Sequence, residues 1–432
     1  MQYTLKAPSH IQASINLPAS KSISNRALIL NALAGGTCML QNLSDCDDTL
    51  VLVNALRDMP DIIDVRASGS SLRFLTAYLS IMPGTHTLTG TERIKNRPLK
   101  PLVDALRYLG ADIEYVDHEG FAPLLITGQP LEGGRVEIDA SVSSQITSAL
   151  LMIGPALKNG LELVLQGDIV SRPYIDLTLH IMHDFGLQAD WTDFNVISTP
   201  HQPYRPCDFI VENDWSASSY WYEMIALSDD IDNEIQLTGL LDSSRQGDSV
   251  VRYLFSMLGV KTVFNKNSEQ QSEYEASTVT LRKTRARLPR LDYDFVNQPD
   301  LAQTFVVCCA GMGIPFRFNG LSTLKVKETD RIEALITEMR KLGYVIHSRQ
   351  GERTDGRDNS RTRTDYEIYW DGERCEPTML PIDTYEDHRM ALSFAPLCIK
   401  YPGLRINDPF VVSKSYPVFW NHLAQAGFSI EE

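Results

Sequence analysis

Six times along the 432-residue chain a short polar head opens an apolar stretch of helix length. The stretches begin near Ser20 (SKSISNRALILNALAGG), Gly69 (GSSLRFLTAYLSIM), Ser143 (SSQITSALLMIGPAL), Trp215 (WSASSYWYEMIALS), Pro299 (PDLAQTFVVCCAGMG) and Tyr385 (YEDHRMALSFAPLC). Each is too rich in apolar side chains for a loop and shorter than the roughly 20 residues a membrane span needs. They are predicted to be helices buried over most of their circumference. Their N-terminal ends carry unsatisfied N–H groups and about half a positive charge each, so several converging ends form an anion site before any side chain is added. Because the heads also concentrate cations, hydroxyls and carboxyls, the pattern points to a ligand bearing phosphate and carboxylate groups.

A second set of helical segments alternates with the first: DDTLVLVNALRDMP, PLKPLVDALRYLG, YIDLTLHIMHDFG, GDSVVRYLFSMLG, ETDRIEALITEMRKLG and YPVFWNHLAQAG. Five stop at a glycine, namely Gly110, Gly186, Gly259, Gly343 and Gly427, as left-handed C-caps require. The glycines recur every 73 to 84 residues, too long a period for a solenoid unit but suited to an α/β unit of two helices and several strands. Strands are predicted at THTLTG, LELVLQG, EIQLTGL, PFRFNGL and LRIND. The polar stretches 265–287 and 348–365 are expected to be solvated loops or insertions outside any site.

The length gives two or three domains at about 150 residues each, and two are expected. No stretch is apolar enough for a membrane span and no secretion pattern opens the chain, so a cytoplasmic protein is expected. Seven scattered cysteines without a C-x-x-C pair argue against a disulfide framework or zinc site, and Cys308 and Cys309 are expected in the core. The net charge of −15 disfavours nucleic acid as a partner. An anionic substrate must then find a concentrated pocket of cations.

In PASKSISNR, Lys21 and Ser22 occupy a first helical turn behind the N-cap Ser20, and Ser22 shares a face with Arg26. In Lys327-Glu328-Thr-Asp-Arg331 the two cations are four apart and Glu328 lies a turn from Arg331, as on one helical patch. Asp387, His388 and Arg389 head the sixth apolar helix, Asp300 the fifth, and Lys414 precedes the last helix. Arg73, Arg97, Arg172 and Ser143-Ser144-Gln145 supply matching groups earlier. A ligand pair with two phosphates and two carboxylates carries about −5 to −6 near neutral pH, which these cations can balance, Arg by bidentate contacts and Lys as a point charge. Asp300 and Glu328 among them are candidates for proton transfer.

In order and spacing, PASKSISNRALILNALAGG, SSQ, SRPYIDLTL, RQGD, PDLAQT, VKETDR and TYEDHRMALSFAPL resemble the signatures of the 5-enolpyruvylshikimate 3-phosphate synthase family over essentially the whole chain. The resemblance implies a two-domain inside-out α/β barrel with six βαβαββ-type repeats, three per domain, and helix N-termini facing an interdomain cleft. One domain is expected over residues 18–245 and the other over 1–17 plus 246–432, with hinges near 18 and 246.

The implied reaction transfers the enolpyruvyl group of phosphoenolpyruvate to the 5-hydroxyl of shikimate 3-phosphate, in chorismate and aromatic amino acid biosynthesis. No metal or cofactor is expected, and the family expectation is a monomer. By the resemblance Lys21, Ser22, Arg26, Ser143, Ser144, Gln145, Ser171, Tyr174, Asp300 and Lys327 bind shikimate 3-phosphate. Lys21, Gly69, Arg97, Gln145, Arg331, Arg389 and Lys414 bind phosphoenolpyruvate. Asp300 accepts the attacking hydroxyl's proton and Glu328 protonates the methylene, with Lys21 sharing the proton traffic. Arg331→Ala or Lys21→Ala is expected to cut turnover by orders of magnitude with folding intact.

The chain departs from the family pattern at Ala19, Ala67 and Thr323, where glycine, asparagine and asparagine are usual, and the first unit is shortened around 60–66. A sister enolpyruvyl transferase acting on UDP-N-acetylglucosamine would present a loop cysteine and a Lys-Asn pair, both missing here. RNA 3'-terminal phosphate cyclases would need a nucleotide site, and a non-catalytic phosphometabolite scaffold gains nothing from carboxylates among its cations.

Overall fold

A computed structural model of the chain describes residues 1–265, 276–355 and 358–432. It divides into two compact units, one formed by Ala19–Val211 and the other by Met1–Pro18 with Glu212–Glu432. One boundary lies between Pro18 and Ala19. The second falls at 211/212 and not near 246. The reason is packing: strand Glu234–Leu240 pairs in parallel with Gln12–Asn16 and antiparallel with Ser277–Lys283, and helix Trp215–Leu227 lies in that unit's core.

Four four-stranded sheets share one plan. Two strands run parallel, and a following hairpin adds its second strand antiparallel to the inner one. In the Ala19–Val211 unit the plan is met by Ile62–Asp64, Gly84–Thr89, Asp112–Tyr115 and Leu124–Gly128, and again by Gly134–Asp139, Leu161–Gln166, Asp190–Asp193 and Val196–Thr199. The other unit repeats it twice, each time with the hairpin intact. Its third sheet, Leu404–Asn407 with Gln2–Lys6 and Ser429–Glu431, keeps the order, the outer strand reduced to a bridge between Ile382 and Ile406.

The sixth copy is truncated. Helix Asp47–Asp58 leads straight to Ile62–Asp64 of the next sheet, so only the two-residue strands Leu40–Gln41 and Phe209–Ile210 pair, in parallel. This is where the sequence shortens.

In each unit the polar-headed helices pack on one another at the centre. All of Gly69–Ile81 is buried except Ser70 and Ile81, all of Ser144–Ile153 except Gln145, and all of Trp215–Leu227 except Ser216. Exposure at the second helical residue leaves the N-terminal ends open to a ligand while the bodies form the core. Gly311 shows how close the packing is: a Cβ there would meet Leu397 Cδ2 at 2.7 Å and Leu227 Cδ2 at 2.8 Å. The five spaced glycines all have positive φ, between 73° and 102°, and end their helices as predicted. Cys308 and Cys309 are fully buried.

The five predicted strands are present. The expected loop at 348–365 is instead the two arms of a hairpin, His347–Asp355 and Asp358–Trp370, in antiparallel register from His347↔Tyr369 to Arg353↔Arg363. Its largely polar sequence lacks the apolar alternation used to recognise a strand. Of the polar stretch 265–287, residues 266–275 lie outside the described residues, whereas Ser277–Lys283 is a strand.

Candidate active site

In the Ala19–Val211 unit, Ser20 caps helix Lys21–Leu33 by accepting from Ile23 N, which places Lys21 and Ser22 in the first turn. Lys21 Nζ lies 3.0 Å from Asp48 Oδ2, a carboxylate at the start of helix Asp47–Asp58. Arg26 is buried at 3% exposure. It donates from Nε to Thr178 Oγ1 at 2.7 Å, from Nη1 to the Ser22 carbonyl at 2.8 Å, and from Nη2 to Ser148 Oγ at 3.0 Å and the Tyr174 carbonyl at 3.4 Å. These acceptors are neutral. Burial therefore pushes the guanidinium down to about 10, and Tyr174 offsets this only in part. A desolvated cation held by neutral oxygens gains strongly from an incoming anion.

Arg26 also ties together the helices that carry the serine heads. Ser143 caps Ser144–Ile153, accepting from Gln145 N at 3.3 Å. Ser171 precedes Arg172–Asp184 at the N-cap position without a side-chain capping bond, in a left-handed conformation, φ 55° and ψ 39°, uncommon for a non-glycine residue. Asn25 Nδ2 donates to Ser70 Oγ at 2.9 Å, joining the first turn of Gly69–Ile81. There Arg73 Nη1 donates to Gln145 Oε1 and to the Gly69 carbonyl, each at 3.1 Å. Arg97 packs on Gly69 so closely that a Cβ at that position would lie 2.9 Å from Arg97 Cζ. Arg172 stands apart: it stacks on Trp191 at 3.8 Å and donates to the Phe194 carbonyl.

The other unit concentrates charge around Arg331. Asp330 caps helix Arg331–Lys341 by accepting from Glu333 N, so the helix begins at Arg331. Lys327 and Glu328 precede it, in a bend between the 3-10 turn Ser322–Val326 and the helix, and do not share a helical face with it. They converge nonetheless. Arg331, 1% exposed, donates to both oxygens of Asp387 at 2.7 and 3.2 Å, to Glu328 Oε2 at 2.9 Å and to Asp300 Oδ1 at 3.2 Å. Asp300 also receives Arg389 Nη2 at 2.9 Å and has Lys327 Nζ at 3.4 Å. Glu328 Oε1 lies 2.9 Å from Lys414 Nζ. Asp387 caps His388–Phe394 through Arg389 N, and Asp300 sits in the 3-10 turn Pro299–Leu301 that leads into Ala302–Met312. The cluster thus occupies three helix N-termini, where backbone dipoles favour an anion.

Burial alone would raise the Asp300 pKa, but Arg389, Lys327 and Arg331 outweigh it and hold the carboxyl well below the usual carboxylate range. Burial opposes the charge on Arg331, yet Asp387, Glu328 and Asp300 more than compensate and keep it above the ordinary arginine range. Since removing Arg331 would strand buried carboxylates, Arg331→Ala is not the fold-neutral probe expected from the sequence. Lys21, 19% exposed, also pairs with a buried carboxylate, that of Asp48, so its removal carries a smaller cost of the same kind.

Several participants carry no sequence-level role. Asp387 is the fully buried partner of Arg331, Asp48 the partner of Lys21, and Tyr220 accepts from Arg389 Nη1 at 3.2 Å. Asp248, which accepts from Ser216 Oγ, is pushed up to about 6 by burial and then by Asp300. The N-cap position of Asp387 was the available signal; Tyr220 looks like any core aromatic. At Thr323, the departure from the family pattern, the hydroxyl is buried with no hydrogen-bond partner among the described residues.

The family model for EPSP synthase (3-phosphoshikimate 1-carboxyvinyltransferase) matches residues 5–63 and 58–423. A 3-phosphoshikimate 1-carboxyvinyltransferase of Bacteroides fragilis is 55% identical over 432 residues, covering 100% of this chain and 99% of its own. One from Photobacterium profundum is 36% identical, with 98% of each chain covered. Among solved structures, an EPSP synthase from Acinetobacter baumannii aligns over the full length of both chains with a TM-score of 0.74 at 20% identity. The enolpyruvyl transferase NikO from Streptomyces tendae aligns over 100% of this chain and 98% of its own, with a TM-score of 0.67 at 14% identity. These two show the fold, that of the enolpyruvyl transferases. The convergence of VKETDR, DHRMA and PDLAQT residues on one buried cluster and the full-length identities lead to one assignment: the chain belongs to the EPSP synthase (3-phosphoshikimate 1-carboxyvinyltransferase) family.

Proposed function

We propose that this chain transfers the enolpyruvyl group of phosphoenolpyruvate to the 5-hydroxyl of shikimate 3-phosphate, releasing phosphate. One observation carries the reading: Asp300 and Glu328 stand among Arg331, Arg389, Lys327 and Lys414 at 2.9 to 3.4 Å. A binder of anions needs the cations alone, whereas the addition of a hydroxyl to an enol phosphate needs a proton acceptor and a proton donor as well.

Arg331, Arg389 and Lys414, together with Lys21, Gly69, Arg97 and Gln145, take phosphoenolpyruvate. Lys21, Ser22, Arg26, Ser143, Ser144, Gln145, Ser171, Tyr174 and Lys327 take shikimate 3-phosphate. Asp300 receives the 5-hydroxyl proton as that oxygen bonds to C2, and Glu328 delivers a proton to the methylene. The tetrahedral adduct then loses phosphate from C2 and a proton from the new methyl group, restoring the double bond. Lys21 shares this proton traffic.

The low pKa of Asp300 fits such a cycle. In the empty site the cations hold it ionised and weakly basic. Two bound anions would neutralise those cations, raise its proton affinity and make it a competent base only when both substrates are present. Fixed cations and helix ends then stabilise charge without reorganising.

Phosphate release from phosphoenolpyruvate, measured with and without shikimate 3-phosphate, tests the reading. Release that depends on shikimate 3-phosphate and falls by about 100-fold or more in Lys21→Ala is expected; release indifferent to it would overturn the assignment. Growth without aromatic amino acids of a strain lacking its own enzyme tests the cellular role. The reading extends to a cytoplasmic monomer, in keeping with seven free cysteines, and light scattering on the purified chain checks the monomer.

A further inference from the structure

We propose that Cys38 and Cys207 form a site of covalent modification, an intrachain disulfide made by exchange with a low-molecular-weight disulfide such as oxidised glutathione. The two residues are 169 apart in sequence, and Cys207 N donates to Cys38 Sγ at 3.2 Å. Their placement follows from the truncated sixth copy of the sheet. There Phe209 pairs with Leu40 and Ile210 with Gln41 in parallel register; two residues before each strand, outside the paired residues, stand Cys207 and Cys38. The 3.2 Å contact between the Cys207 backbone N and Cys38 Sγ brings the two side chains within the reach a disulfide needs.

The ladder also marks the position as unusual. Phe209 N bonds to the Met39 carbonyl and Val211 N to the Gln41 carbonyl, so the next donor in the series, Cys207 N, would be expected to reach the carbonyl of residue 37. It takes the thiol sulfur instead. Both thiols are half-buried, with Thr37, Met39 and Asp208 around them exposed, so a tripeptide disulfide can reach them. The other four sheets with a complete hairpin have two further strands to hold them, and this one has only its four paired residues.

Exchange balances without further reagents. The Cys38 thiolate attacks one sulfur of oxidised glutathione and expels a glutathione thiolate, and the Cys207 thiolate then attacks the Cys38 sulfur and expels the second. The protein loses two protons and two electrons, and one oxidised glutathione becomes two reduced ones. Burial, then Cys38, Asp184 and Asp208, push the Cys207 thiol up. The second step is therefore slow at neutral pH, while a bond that would release a poor leaving thiolate resists reduction.

The full chain is incubated with oxidised glutathione at pH 8.5, quenched with an alkylating agent, digested without reductant and analysed by mass spectrometry, alongside Cys38→Ser and Cys207→Ser. A peptide pair joining Cys38 to Cys207 and lighter by two hydrogens is expected. The oxidised parent should show a higher thermal midpoint, reversed by dithiothreitol and missing from both variants, with turnover of the reduced variants unchanged. Recovery of Cys38 and Cys207 alkylated, or each carrying glutathione, overturns the proposal.

Discussion

Arg331 and Asp387 form a two-point ion pair in which neither side chain reaches solvent: the guanidinium is 1% exposed and the carboxylate 0%, with contacts of 2.7 and 3.2 Å. Asp387 uses the same carboxylate to cap its own helix through Arg389 N at 2.9 Å. One residue therefore fixes the orientation of Arg331 and the start of the helix that presents Arg389. The pair holds the fork of Arg331 still, so that its remaining edge faces Glu328 and Asp300.

Replacing Asp387 with alanine should cost about 3–5 kcal/mol of stability, because it leaves a buried guanidinium short of its closest counter-charge, and the lost cap adds about 1 kcal/mol. Urea unfolding of Asp387→Ala and Asp387→Asn measures this, with the asparagine variant intermediate. A midpoint equal to that of the parent would mean that the pair contributes nothing net.

Gly69→Ala tests the second cation group. A Cβ there would lie 2.9 Å from Arg97 Cζ, closer still to its Nη1, and 3.1 Å from Arg73 Nη1. Arg97 must move. Because alanine favours a helix over glycine by about 0.5–1 kcal/mol, the thermal midpoint should hold or rise while KM for phosphoenolpyruvate increases by about tenfold, the equivalent of about 1.4 kcal/mol. An unchanged KM would show that Arg97 does not serve that substrate.

The fold was legible where chain chemistry is local. Gly110, Gly186, Gly259, Gly343 and Gly427 announce helix ends because a left-handed cap needs glycine, and all five have positive φ. Lys327, Glu328 and Arg331 were legible as a group for the wrong reason: a shared helical face was expected, but the helix starts at Arg331, and the bend before it brings the first two side chains to the same cluster. What stayed hidden is what tertiary packing decides. Residues 212–245 give no local sign of which unit they join, because strand Glu234–Leu240 takes its parallel partner from residues 12–16. Polar arms such as 347–355 are strands because of register, not alternation.

Tyr220 positions Arg389 and should affect substrate handling more than folding. Its hydroxyl accepts from Arg389 Nη1 at 3.2 Å, and burial pushes its pKa up to about 12, so it remains a neutral phenol throughout the working range. A hydrogen bond to a charged group contributes about 1.5–3 kcal/mol. Tyr220→Phe should thus lower kcat/KM for phosphoenolpyruvate by about tenfold or more, with the thermal midpoint nearly unchanged. Equal loss for both substrates together with a lower midpoint would indicate a purely structural role.

Glu223 supplies a pH dependence of opposite sign to that of Asp300. Its side chain is fully buried in helix Trp215–Leu227, and neither carboxylate oxygen has a hydrogen-bond partner among the described residues. Burial raises its pKa well above 4.5; the thiols of Cys308 and Cys309, themselves raised by burial and then by Glu223, are its titratable neighbours. The folded chain keeps a proton that the unfolded chain has lost, so stability from this group is full below about pH 4.5 and falls as pH rises toward the folded value. For Asp300, whose pKa is lowered, stability is full above the unfolded value near 3.9 and is lost only as pH falls through the folded one. Glu223→Met removes the first effect and the desolvated carboxyl, about 1–3 kcal/mol, and should raise the urea midpoint more at pH 9 than at pH 6. Parallel midpoints in parent and variant across that range would show that Glu223 is hydrated or ionised in the folded chain.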